Sequence, residues 1–137
     1  MTITTGQQEG TLTVSDVNGD SLQEFLTGNN RNEWISSGLL NIYVRKGRHI
    51  IQSKMAETID VANVQIHTNK ERGKGRFTTW LHHAEREADQ RGWYVRVECI
   101  LNRRLVHYLE RRGYIVISDT GIGFGRSVTM YRELNGK

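Results

Sequence analysis

Two periodicities divide the chain. Residues 10–17, Gly-Thr-Leu-Thr-Val-Ser-Asp-Val, alternate apolar and polar side chains, the pattern of a half-buried strand. Asp20 or Ser21 then caps a short helix carrying Leu22, Phe25 and Leu26, which stops near Gly28. A second short helical piece is expected over residues 32–37, with Trp34 and Ile35. The middle of the chain reads as strands. Residues 39–45 and 48–55 form an expected hairpin turning at Lys46-Gly47, and residues 59–68 form a further strand.

Behind Gly75 the period lengthens. Phe77, Trp80, Leu81, Ala84 and Ala88 recur at the spacing of an amphipathic helix, whose polar face is expected to carry Glu85, Arg86, Glu87 and Asp89. Gly92 stops it, because glycine accepts the left-handed conformation that follows a helix end. Residues 93–101 are a strand, with Val95, Val97 and Cys99 assigned to one face and Arg96 and Glu98 to the other. Asn102 caps a helix that turns Leu105, Val106 and Leu109 inward and ends at Gly113. Residues 114–117 and 127–134 close the chain as strands, joined by the glycine-rich stretch 121–125. The order predicts an α/β fold with a mixed, mostly antiparallel twisted sheet flanked by helices.

Length and composition narrow the class. A chain of 137 residues with 36% hydrophobic and 25% charged content is expected to be a single domain, 1–137, with a real core. No apolar run reaches the length of about 20 residues that a membrane helix needs, and the start lacks the charge and apolar stretch of a secretory signal. The lone cysteine, Cys99, can form no internal disulfide and no metal cluster, so a reducing, cytoplasmic setting and no metal are expected. It reads as a small core residue. Lys and Arg exceed Asp and Glu by 19 to 15, a net charge of +4, which suits a polyanionic partner: nucleic acid or a phosphate-bearing cofactor.

The chemistry concentrates in Arg72-Gly73-Lys74-Gly75-Arg76-Phe77, between a strand's end and a helix's start. There the first backbone N–H groups lack intrahelical partners and the helix dipole is positive. Glycines remove the Cβ atoms that would hold an anion away, and basic side chains add to the field. Such a bend can cradle a pyrophosphate. It is neither a P-loop nor the GxGxxG of a dinucleotide fold.

These residues resemble the acyl-CoA loop of the GCN5-related N-acetyltransferase (GNAT) family, Gln/Arg-x-x-Gly-x-Gly/Ala, which Arg72 to Arg76 matches in its first five positions. Phe77 replaces the final small residue and is expected to pack into the core. Asn102-Arg103-Arg104-Leu105 and Arg111-Arg112-Gly113-Tyr114 resemble the family's next strand-to-helix junction and basic Gly-aromatic turn, so that the likeness spans about residues 39 to 117. The resemblance implies an enzyme that moves an acetyl or other short acyl group from acetyl-CoA directly to an amine. It implies that the amides of Arg72, Gly73, Lys74, Gly75, Arg76 and Phe77 bind the pyrophosphate. It further implies that Ile66, His67 and Thr68 pair with the pantetheine arm, and that Asn102 touches the cofactor as well as capping its helix.

Acylation needs a neutral amine and a proton for the leaving thiolate. Glu98, on the strand after the loop helix, is the first candidate base, acting directly or through water. An ion pair with Arg96 is the competing use of its charge. His67 is the second candidate, because its ordinary pKa lies near neutrality. The family's usual acid, a tyrosine seven residues beyond the Asn, is here Leu109; Tyr108, turned about 100° away on a helix of 3.6 residues per turn, is the candidate catalytic acid, with water or core packing as the alternatives. The acceptor is expected to be a protein or peptide amine or a small molecule. Two alternatives stand beside this reading: a catalytically weak acyl-CoA-binding module, and a nucleic-acid-directed protein. The latter is not favoured, since no aromatic recognition strand or zinc spacing accompanies the charge.

Overall fold

The longest ladder among the described residues is a hairpin of two extended strands, and the sheet grows outward from it. The computed structural model describes residues 2–5, 20–37, 40–66, 75–120 and 127–133. Its elements are β1 (Thr2–Thr5), α1 (Asp20–Thr27), β2 (Asn32–Ser37), β3 (Leu40–Ile51), β4 (Lys54–Ile66), α2 (Arg76–Arg91), β5 (Tyr94–Ile100), α3 (Arg103–Arg111), β6 (Tyr114–Asp119) and β7 (Val128–Arg132). They build a seven-stranded sheet of order β2-β3-β4-β5-β7-β6, with β1 attached to β4. The β1–β4 and β4–β5 pairs are parallel and the others antiparallel. The expected mixed, mostly antiparallel architecture is the one observed.

The three helices of the described residues contribute to one core cluster. Leu22 and Phe25 of α1, Trp80, Leu81, Ala84 and Ala88 of α2, and Leu105 and Leu109 of α3 meet Ile42, Val44, Ile59, Val61, Val95 and Val97 of the sheet. Strand residues of the other parity, among them Thr58, Asp60, Tyr94, Arg96 and Tyr131, belong to the opposite face. Among the described residues that face has a small apolar cluster of Ile51, Tyr94 and Tyr131, with Ala56 packed against it. No helix among the described residues is long and apolar enough to cross a membrane.

The structure corrects several expectations. Residues 32–37 are strand β2, not a helix: Ile35 pairs with Ile42 and is buried, while Trp34 pairs with Tyr43 and leans on its ring at 5.2 Å. Six residues are too few to nucleate a helix alone, and Trp and Ile prefer a pleated surface. The hairpin turns at Gln52-Ser53, both left-handed (φ 53° and 68°), and not at Lys46-Gly47, which lies within β3. Strand β1 has no counterpart in the sequence pattern, and the expected strand over 10–17 falls outside the described residues.

Glu85 is also displaced from its expected solvent face. It is 4% exposed and accepts hydrogen bonds from the Tyr114 hydroxyl (2.8 Å) and from Arg112, with the Arg132 Nε 3.6 Å away. Beside it Asp89 accepts from Arg132 at 2.8 and 3.3 Å. The network ties α2 to the end of α3 and to β6 and β7. Burial lifts the Tyr114 phenol well above its ordinary 10.0, and Glu85 adds to the lift.

Glu85→Ala leaves Arg112 and Tyr114 without their buried partner and should cost about 3 kcal/mol in urea unfolding. A phenol held protonated by the fold contributes stability that is intact below its ordinary value and is lost as pH rises from there toward the raised value. The urea midpoint of the wild type should therefore fall more steeply above pH 10 than that of Tyr114→Phe.

Candidate active site

Strands β4 and β5 run in parallel for the pairs Thr58–Tyr94, Ile59–Val95, Asp60–Arg96 and Val61–Val97, and there the pairing stops. Both strands are irregular at that level. In β4 the register against β3 passes from Val61–Val44 to Asn63–Tyr43, so Ala62 is an extra residue. In β5 the register against β7 shifts between Val97 and Ile100, and Cys99 adopts a left-handed φ of 49°. A bulge bends its strand and increases the local twist. A pair of bulges at one level separates strands that would otherwise stay bonded.

Cys99 is consequently exposed at the bend, where its amide donates to the Thr129 hydroxyl at 3.1 Å. This corrects its assignment to the core, since strict alternation fails across a bulge. Ile100 takes the buried position instead.

The first residue of β5 beyond the parting is Glu98. Its side chain is 15% exposed and its carboxylate accepts from Arg45 on β3 and Arg96 on β5. Arg45 and Arg96 flank Asp60 from the two neighbouring strands. Asp60 is buried, accepts from the Thr58 hydroxyl at 2.7 Å and contacts His49 Nε2 at 2.9 Å. Donor atoms of His49, Asp60 and Glu98 lie within 4.8 Å of one another. Two guanidinium groups supply positive charge to Glu98, while Asp60 is held by Thr58 and His49. The sequence pattern singles out none of His49, Asp60 and Arg45. Their meeting depends on the hairpin register, which a turn placed at Lys46-Gly47 conceals.

Close approach explains why Gly47 lies within a strand. A Cβ there would overlap Asp60 Oδ2, Thr58 Oγ1 and His49 Nε2. Its absence lets the imidazole reach across the strand to Asp60.

The glycine-bearing loop lies only partly within the described residues. Arg72, Gly73 and Lys74 fall outside them, as do His67 and Thr68. Gly75 caps α2 with a left-handed φ of 74°, and its carbonyl accepts from the Thr79 amide (2.9 Å) and the Thr78 and Thr79 hydroxyls. The amides of Arg76, Phe77 and Thr78 thus precede the first intrahelical bond. Phe77 is buried and stacks on Trp80, with ring centroids 6.2 Å apart.

Asn102 Oδ1 accepts from the amides of Arg104 (2.9 Å) and Leu105 (3.3 Å), a regular helix cap. Tyr108 packs at the margin of the core, with the Arg112 guanidinium 5.8 Å from its ring centre. No described contact links it to Glu98. Ile66 ends β4, paired with Leu40 on one side and with Thr5 of β1 on the other.

No protein-family model and no curated protein matches the chain. Solved structures do. Chaetomium thermophilum Naa20 in complex with a bisubstrate analogue superposes with a TM-score of 0.56 at 12% identity, over 85% of this chain and 72% of that one. An uncharacterized protein from Bacillus halodurans gives 0.55 at 12% identity, over 83% and 64%. A chain of the NatC complex bound to Gag peptide and CoA gives 0.51 at 11% identity; 69% of this chain matches and spans 61% of that one. The fold is the GNAT fold. Its strand order places the parted pair β4 and β5 at the centre of the sheet, with the start of α2 beyond the end of β4.

The glycine gap is directly testable. Gly47→Ala should destabilise the protein by about 1–3 kcal/mol in urea unfolding, the usual cost of overpacking. The companion variant Gly47→Ala/His49→Ala should recover some of that loss.

Proposed function

We propose that this protein transfers an acetyl or other short acyl group from acyl-CoA to an amine. The observation that carries the reading is the parting of two parallel strands at Val61 and Val97, with a glycine-capped helix starting after the C-terminal end of β4. An extended, amide-bearing ligand can lie between the parted strands, and the amides at the start of α2, which have no intrahelical partner, suit a diphosphate. In this assignment the backbone of residues 72–77 takes the pyrophosphate. The edge of β4 through Ile66, His67 and Thr68 takes the pantetheine, and Asn102 borders the slot while capping α3. The GNAT fold and the CoA and bisubstrate ligands named for NatC and Naa20 support an acyl-CoA donor.

The reaction forms a C–N bond between the amine and the thioester carbonyl carbon and breaks the C–S bond. The amine gives up a proton and the thiolate takes one. Glu98 is the proton acceptor in this proposal, through a bridging water. Its oxygens already accept from two guanidinium groups, and a carboxylate retains lone pairs for a water. The thiolate takes its proton from water, since Tyr108 packs against Arg112. The acceptor is a peptide or protein amine reaching the parting from the sheet face that no described helix covers. The Gag peptide named for NatC supports a peptide acceptor. The reaction belongs in the cytoplasm, where the exposed Cys99 stays reduced.

Acetyl-CoA should raise the melting temperature in proportion to RT ln(1 + [L]/Kd), and Gly75→Asp should abolish the rise by setting a carboxylate against the diphosphate. An undiminished rise in that variant would remove the loop from the site. With a peptide acceptor, Glu98→Gln should lower kcat/KM about 100-fold, within the range of general-base catalysis, and flatten the acid side of its pH profile. A variant with the wild-type profile would exclude Glu98 as the base.

A further inference from the structure

Between Asn63 and Ile66 strand β4 is bonded on both edges. Strand β3 takes one edge throughout, from Ile51–Lys54 to Leu40–Ile66. Below the parting β5 takes the other, through Val61–Val97. Above it that second edge is held by β1, in parallel register: Thr2–Asn63, Ile3–Val64, Thr4–Gln65 and Thr5–Ile66. The N-terminal strand therefore stands in the gap that β5 vacates, on the backbone groups to which an extended ligand would bond.

Physical considerations make this a weak occupancy. Parallel pairing is slightly less stable per residue than antiparallel. Among the described residues β1 pairs with β4 alone, and a pairing of four residues is short even for an edge strand. A bare strand edge would otherwise present unsatisfied N–H and C=O groups and invite pairing with another chain. Strand β1 answers that need through its backbone ladder with β4.

We infer that the upper edge of β4 is a strand-binding slot contested by two occupants: the chain's own Thr2–Thr5 segment and the pantetheine arm of coenzyme A. The inference rests on the acyl-CoA reading above and adds a regulatory step to it. With β1 docked, the Asn63–Ile66 part of that edge is closed to the pantetheine. When the cofactor binds, β1 must leave. The apparent affinity for CoA is then reduced by the fraction of molecules in which the slot is open, about tenfold if β1 is docked nine-tenths of the time. Anything that captures the released N-terminal segment would favour cofactor binding by the same factor.

Proline cannot donate to a ladder, and in a parallel strand alternate residues face the same neighbour. The Ile3→Pro/Thr4→Pro double variant therefore removes a donor toward β4 whichever of the two residues faces it. Titration calorimetry with CoA should show several-fold to tenfold tighter binding to this variant than to the wild type. A synthetic peptide of residues 1–8, added in trans, should weaken that binding again, and the same peptide with both prolines should not. Equal or weaker binding by the variant overturns the contest while leaving the cofactor site standing. Absence of CoA binding in both proteins overturns the cofactor reading, and the contest with it. Amide hydrogen exchange supplies a second readout. CoA should speed exchange at Thr2–Thr5 while Asn63–Ile66 stay protected, whereas protection of both segments together contradicts displacement.

Discussion

Backbone amides in a sheet interior must be bonded, and the architecture of this protein turns on one place where the sheet withholds that bonding. Ala62 in β4 and Cys99 in β5 each interrupt the regular pleat, and beyond them the parallel strands diverge. An unpaired edge in the middle of a sheet is costly unless something occupies it. In the structure that occupant is β1, and in the proposed reaction it is the pantetheine of acyl-CoA. Function and strain thus share an origin: the irregularity that weakens the sheet creates the slot.

Charge on the open face is arranged around the same level. Glu98 sits at the parting between two arginines, and Asp60 sits one row below, held by Thr58 and His49. Buried and half-buried carboxylates need such partners, because desolvated charge without them is expensive. The cost of assembling the cluster is visible in the backbone, where Gly47 gives up its side chain in the middle of a strand. On the other face Glu85 plays a comparable role, drawing donors from the end of α3, β6 and β7 onto α2, the helix that follows β4 in the chain.

What the sequence discloses is governed by local rules. The apolar stripe of α2, its stop at Gly92 and the Asn102 cap are all set within one or two helical turns, and they appear where expected. The failures share a different character. Gly47 reads as a turn because its reason for being glycine lies across the hairpin, in Asp60 and His49. Residues 32–37 read as helix because their alternation matters only once Ile35 meets Ile42. Cys99 and Glu85 mislead in the same way, since a bulge and a distant tyrosine decide their environments. Of the candidate site, Glu98 is legible as a carboxylate on the strand behind the loop helix, while Arg45 and His49, which complete its surroundings, require the register. Arg72, Gly73, Lys74, His67 and Thr68 lie outside the described residues.

In the proposed complex the cofactor arm lies between β4 and β5 above Val61 and Val97. Intermolecular nuclear Overhauser effects between the pantetheine protons of bound acetyl-CoA and the protein's amides test it most directly. The predicted result is a run of contacts along Asn63 to Ile66 with a second set at Glu98 and Cys99. Contacts confined to another surface, with those amides unperturbed at saturation, would contradict it.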